Sequence, residues 1–107
     1  MTAISDERLR EVVAAIPAGC WASYRDLALA CGASVRHART LNQRLQRGNV
    51  PGAHRVLLAN GAIAPTALGD PVRVRQQLDA EGVPFINDRA HPSARVDPAA
   101  LRRRNCG

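Results

Sequence analysis

The residues of this chain whose types and spacing could do chemistry fall into three groups. The first is a polar stripe: Arg36, Thr40, Gln43 and Arg47 stand at i, i+4, i+7 and i+11, the spacing of one helical face. Arginine forks onto phosphates or guanine, and Gln and Thr reach base edges, so this face suits a nucleic-acid groove. Arg39 and Arg44 flank the stripe, and no acidic residue interrupts it. The same pattern also describes an ordinary solvated face. The second group is the pair His54-Arg55, preceded by Pro51-Gly52-Ala53 and followed at once by a strand pattern. The third is three cysteines, Cys20, Cys31 and Cys106. They are odd in number and widely spaced, and no Cys-x-x-Cys pair exists, so free reduced thiols are expected and no metal or cofactor.

These groups need elements to position them. Ser5 predicts the cap of a first helix, whose Leu9, Val12, Val13 and Ile16 form an apolar face and which Pro17-Ala18-Gly19 ends. Cys20-Trp21-Ala22 reads as a short extended connector. Ser23 with Asp26 three residues on predicts a capped second helix over Tyr24 to Cys31, stopped by Gly32. Ser34 then caps a third helix, Val35 to Arg47, whose apolar side is Val35, Ala38, Leu41 and Leu45. Two helices joined by a tight glycine turn, followed by the helix bearing the polar stripe, form a helix-turn-helix pattern. Val56 to Ala59 and Ala62 to Ala64 flank Asn60-Gly61, which predicts a type I′ hairpin, a wing beside the helices. Pro65 to Gly69 reads as loop. Asp70-Pro71 opens a further helix to about Glu81, with Val74 and Leu78 on its buried side. Val83 to Ile86 reads as a short extended segment and Asn87 to Arg95 as polar loop. Asp97-Pro98 opens a last short helix, and Arg102-Arg103-Arg104 makes a basic tail.

The expected fold class is mainly α with a small β-hairpin, a winged helix-turn-helix-like DNA-binding domain. With 107 residues, the chain is expected to form a single domain over 1–107. The net charge of +6, with every basic residue an arginine, favours a polyanionic partner. Aromatics make up only 3%, so the core must come from Ala, Leu, Val and Ile. No apolar run reaches transmembrane length and no signal peptide is visible, so a cytoplasmic protein is expected, nucleoid-associated in a bacterium.

Taken in order, Ser23-Tyr24-Arg25-Asp26-Leu27-Ala28, an Arg-led helix, Ala53-His54-Arg55-Val56, a hairpin and Leu78-Asp79-Ala80-Glu81-Gly82-Val83 resemble the DNA-binding domain of the O6-alkylguanine-DNA alkyltransferases. The closest resemblance is to their non-transferring relatives, the alkyltransferase-like proteins. It runs from about Leu9 to about Leu101, without the separate N-terminal domain of full-length transferases. In the transferases a Pro-Cys-His-Arg-Val motif carries a nucleophilic thiolate, whose proton passes through water to the His, which a Glu orients. The resemblance maps the Cys onto Ala53, the His and Arg onto His54 and Arg55, and the Glu onto Glu81. A methyl group cannot accept an alkyl group, so the resemblance implies a vestigial site and no enzyme activity at Ala53. It also implies that Tyr24 rotates a target nucleotide out of the duplex. Arg39, or Arg36 in its place, fills the gap left, and Asn49 marks the hinge between helix and active-site loop. Three departures stand out: the approach from Asn49 to Ala53 is short, Gly52 replaces the family's Pro, and Asn42 and Gln43 replace small residues.

The resemblance therefore implies a non-catalytic protein that recognises O6-alkylguanine in double-stranded DNA by nucleotide flipping. It would flag the lesion for nucleotide excision repair proteins, working as a monomer without cofactors. The expected DNA contacts are Tyr24, Arg36, Arg39, Thr40, Gln43, Arg47 and Asn49. Three other readings share the sequence: a winged-helix sequence-specific regulator, a transferase using a displaced thiol, and a degenerate family member kept for protein contacts.

Overall fold

The computed structural model describes residues 5–32, 38–47, 50–64 and 69–97. In chain order these form α1 (Asp6–Ala14), β1 (Ala22–Ser23), α2 (Tyr24–Ala30), α3 (Ala38–Arg47), β2 (Val56–Leu57), α4 (Pro71–Ala80), β3 (Phe85–Ile86) and β4 (Arg89–Ala90). Single 3-10 turns lie at Ala53–Arg55 and Pro92–Ala94. The mainly helical architecture with short strands is the expected one. The starts of the third helix at Ser34 and Val35, the last helix opened by Pro98, and the tail at Arg102–Arg104 lie outside the described residues.

The helix boundaries follow local chemistry. Ser5 accepts the Arg8 N–H at 3.1 Å, with Asp6 and Glu7 in the first turn of α1. Ser23 and Asp26 form a complete capping box on α2: Ser23 Oγ accepts the Asp26 N–H at 3.0 Å and Asp26 Oδ2 accepts the Ser23 N–H at 3.1 Å. Asp70 caps α4 with Pro71 at its first position. The core gathers Leu9, Val12 and Val13 of α1, Leu27 of α2, Leu41 and Leu45 of α3, Leu78 of α4 and Trp21, which is 1% exposed.

Trp21 to Ser23 is the axis of a small parallel arrangement. Ala22 pairs with Val56 and Ser23 with Leu57, in parallel, while Trp21 bridges in parallel to Arg95 on the other side. Residues far apart in sequence thus meet directly beneath the start of α2.

The turn at Asn60-Gly61 differs from expectation. A type I′ turn needs positive φ at both central residues, and Asn60 does not have it. Instead the Gly61 N–H donates to the Leu58 carbonyl at 2.8 Å and the Leu58 N–H to the Ala62 carbonyl at 3.0 Å, a three-residue loop closed by left-handed Gly61 (φ +86°). Gly61 is also pressed against β4: a Cβ there would stand 2.5 Å from the Ala90 carbonyl oxygen. The I′ geometry occurs at Asn87-Asp88 (φ 53° and 62°), which joins β3 to β4 within the stretch read as loop. Val56 and Leu57 accordingly spend their pairing capacity on β1 rather than on a long wing.

Candidate nucleic-acid interface

α2 packs chiefly on α3. Leu41 and Leu45 face inward, 0% and 1% exposed, so Thr40, Gln43, Gln46 and Arg47 take the outer face. Gln43, Gln46 and Arg47 line a polar recess of about 270 Å³ at the C-terminal end of the helix. Gln46 falls between the polar stripe and the apolar side of α3, so spacing alone gives it no role. It is brought into play by Gly69, where a Cβ would stand 2.8 Å from the Gln46 amide nitrogen. Arg44 does not serve the outer stripe: its Nη2 donates to Asp6 Oδ1 of α1 at 2.7 Å. The Arg39 backbone is part of α3, but its side chain, like Arg36 and Asn49 entirely, lies outside the described residues.

Tyr24 opens α2 and is 8% exposed. Its hydroxyl reaches α3, donating to Asn42 Oδ1 at 3.4 Å. Burial pushes the phenol up to about 12, so it stays neutral throughout the physiological range.

Next to α3 the chain turns sharply. Pro51 and Gly52 hold the central positions of a turn in which the Ala53 N–H donates to the Val50 carbonyl at 3.2 Å. Gly52 has φ +83° and ψ 2°, the type II geometry. Proline, fixed near φ −65°, cannot occupy that conformation, so the glycine at 52 is a requirement of this backbone path. Ala53 follows, 5% exposed, at the start of the 3-10 turn.

That turn aims two side chains at one carboxylate beyond α4. His54 Nε2 lies 2.9 Å from Glu81 Oε2. Arg55 donates from Nε to Oε1 at 3.0 Å and from Nη2 to Oε2 at 2.7 Å, and its Nη1 donates to the Ile16 carbonyl at 3.0 Å. Arg55 hydrogen bonding, opposed by burial and reinforced by His54, pulls the Glu81 carboxyl down to about 2. An ionised carboxylate only accepts, so His54 carries its proton on Nε2 and Nδ1 is the basic atom when the ring is neutral. Cys20 and Cys31 are free thiols, both half-buried. Burial pushes the Cys31 thiol up. Among the described residues, no group of three His, Cys, Asp or Glu side chains is placed to hold a metal ion. A second recess of about 450 Å³ lies between Ala62-Ile63 and the start of α4, and shares no lining residue with the Ala53 turn.

The Glu81 cluster predicts an acid-sensitive fold. Its carboxyl is depressed in the folded chain, from 4.5 to about 2, so the stabilisation is whole above about pH 4.5 and is lost as pH falls towards 2. With allowance for solvent around the side chain, that loss is about 2 kcal/mol. Denaturant titrations across that window should show the decline, and a Glu81→Gln chain should show a shallower one.

A family model described as the DNA-binding domain of 6-O-methylguanine DNA methyltransferase matches residues 5–83. The chain belongs to that family. No significant match to a curated protein or to a solved structure accompanies it. For the 6-O-methylguanine DNA methyltransferase family, the matched portion is the DNA-binding domain, so DNA is the partner of this unit. The match takes in α1 through α4 and the Ala53–Glu81 cluster, and stops before β3. Among the described residues, no helix is long and apolar enough to cross a membrane.

Proposed function

We propose that this chain is a non-catalytic DNA-binding protein that recognises O6-alkylguanine by extruding the damaged nucleotide. It then holds the lesion for nucleotide excision repair. The observation that carries the reading is Ala53. His54, Arg55 and Glu81 are assembled as a base and its orienting carboxylate, yet the residue they would serve is a methyl group, 5% exposed. Recognition falls to the helix-turn-helix: Tyr24 and Arg39 extrude the nucleotide and fill its place, while Thr40, Gln43 and Arg47, together with Arg36 and Asn49, seat the duplex. Extrusion costs a few kcal/mol, and less for a mispaired damaged base, which contributes to selectivity.

Short duplexes with and without one O6-methylguanine, titrated at one stated salt concentration, test this. Salt is held fixed because phosphate contacts dominate affinity. The damaged duplex should bind more tightly, and Tyr24→Ala and Arg39→Ala should erase the preference while leaving weaker general binding. Equal binding of both duplexes by the unaltered chain sinks the reading.

A second reading, transfer to a displaced thiol, is favoured by the two free, half-buried thiols of the described residues, Cys20 and Cys31. DNA carrying an isotopically labelled O6-methyl group separates the two. Label should stay on the DNA; label on the protein that disappears in Cys20→Ser supports transfer instead.

A further inference from the structure

The DNA-binding unit is seated by residues outside the family match. The match ends at Val83, and the chain continues through β3, β4 and the 3-10 turn at Pro92–Ala94 to Val96. This continuation returns to the start of the helix-turn-helix. The Trp21 N–H donates to the Ala94 carbonyl at 2.9 Å and the Val96 N–H to the Trp21 carbonyl at 2.8 Å. The Trp21 indole Nε1–H donates to the His91 carbonyl at 2.9 Å. Between these backbone bonds Arg95 forks onto Asp26, Nε to Oδ2 and Nη2 to Oδ1, both at 2.7 Å.

Asp26 is 2% exposed and stands in the first turn of α2. Its Oδ2 is shared between Arg95 and the Ser23 N–H. Ser23 and Asp26 bracket Tyr24, so whatever holds the capping box holds the first turn on which Tyr24 sits. A two-pronged guanidinium–carboxylate contact fixes direction as well as distance, which a single contact does not. Uncoupled from Arg95, the Asp26 carboxylate would stay buried with only its Ser23 partner, an arrangement that favours rearrangement of this turn.

We propose that Arg95 is a positioning residue for DNA engagement: through Asp26 and the Ser23 capping box it sets the placement of Tyr24 against α3. The role rests on the reading of Tyr24 as the nucleotide-extruding residue. It makes the segment from β3 to Val96 a working part of the DNA-binding unit rather than an appendage. Arg95 acts through Asp26, without touching phosphate.

The test uses the full chain and four variants: Arg95→Met, Arg95→Lys, Asp26→Asn and, as a control, Arg75→Met. The last cuts the Arg75 contacts with Asp79, Asp88 and the Phe85 ring, which tie the β3–β4 hairpin to α4 and do not reach Asp26, so it disturbs the same segment without breaking the Arg95 contact. All are compared at a temperature where circular dichroism shows each to be folded. Two quantities are read: the ring NMR signals of Tyr24, the single tyrosine of the chain, and affinity for damaged and undamaged duplexes at fixed salt. Arg95→Met should shift the Tyr24 signals and weaken binding of the damaged duplex about tenfold, a coupling typical within one hydrogen-bonded network. Arg95→Lys should recover part of this, and Arg75→Met should change neither quantity. Asp26→Asn decides how Arg95 acts. It frees the guanidinium and adds positive charge, so direct phosphate contact would hold or tighten binding, whereas positioning through Asp26 weakens it. Unchanged Tyr24 signals and affinity in Arg95→Met, or tighter binding by Asp26→Asn, overturn the role alone. A wild-type chain that binds neither duplex overturns the DNA reading and the role with it.

Discussion

Trp21→Ala should cost about 3–5 kcal/mol, the range for truncating a fully buried large aromatic residue. Domains of this kind are stable by only about 5–15 kcal/mol, so the variant should lose much of its stability. Three things go at once. The largest fully buried side chain leaves a cavity in the apolar core, whose other members cannot fully close over it. The His91 carbonyl loses the indole donor at 2.9 Å. The segment around Ala94 and Val96 keeps its backbone bonds to residue 21 but loses the body it packs on. Urea titrations followed by circular dichroism measure the effect, since the only tryptophan is gone. The slope of the transition should also fall if residues 84–97 detach in the folded variant, because less surface remains to be exposed. Trp21→Phe keeps most of the volume and should cost about 1–2 kcal/mol through the missing hydrogen bond and the smaller ring. A loss under about 1 kcal/mol in Trp21→Ala would mean that the residue is not the centre of this core.

Glu81→Ala is the second large effect, at about 3 kcal/mol. The carboxylate satisfies Arg55 through two hydrogen bonds and His54 through one, with only 18% of its side chain exposed. Removing it leaves a guanidinium and an imidazole facing each other at the junction of α1, the Ala53 turn and α4. Removing both charged partners should be milder than removing either: Arg55→Leu with Glu81→Leu should restore part of the loss, because no unpaired charge is left behind. Thermal melts of the two single variants and the double variant complete the cycle. Additive losses would show that the two side chains do not act as a pair. On the proposed function, the cluster now serves as a frame for the turn, so the stability loss is the main consequence of breaking it.

The parts of this molecule written in local chemistry were legible in the sequence. The caps at Ser5, Ser23 and Asp70, the apolar face of α1 and the buried sides of α3 and α4 all rest on neighbours within one or two turns, and spacing encodes those. The family was legible from Ala53-His54-Arg55-Val56 and Glu81, residues that the fold brings together. Long-range partnerships were not. β1 and β2 have two residues each, too few to show any periodicity, and nothing local marks them as parallel partners. Asn60-Gly61 carries the strongest local signal for a I′ turn, but docking of Gly61 against Ala90 selects another loop. Asn87-Asp88, a weaker signal, takes the I′ form because the two strands flanking it do pair. Arg44 flanks the polar stripe in sequence, but α1 brings Asp6 to it. Arg95 lay in a stretch that reads as polar loop, and its partner is 69 residues away.

That separation bears on how the molecule is made. As the chain leaves the ribosome, α1, α2 and α3 emerge early, but Trp21 must wait for His91, 70 residues later, before its indole finds its acceptor. Contacts of such separation form late, because the loop between them must close first. During that interval α2 and α3 exist without the segment from β3 to Val96 beneath them, and Asp26 is still unmatched by Arg95. On the proposed role of Arg95, the first turn of α2 is therefore set only once residue 95 has been made, and a chain clipped before it should bind DNA less tightly.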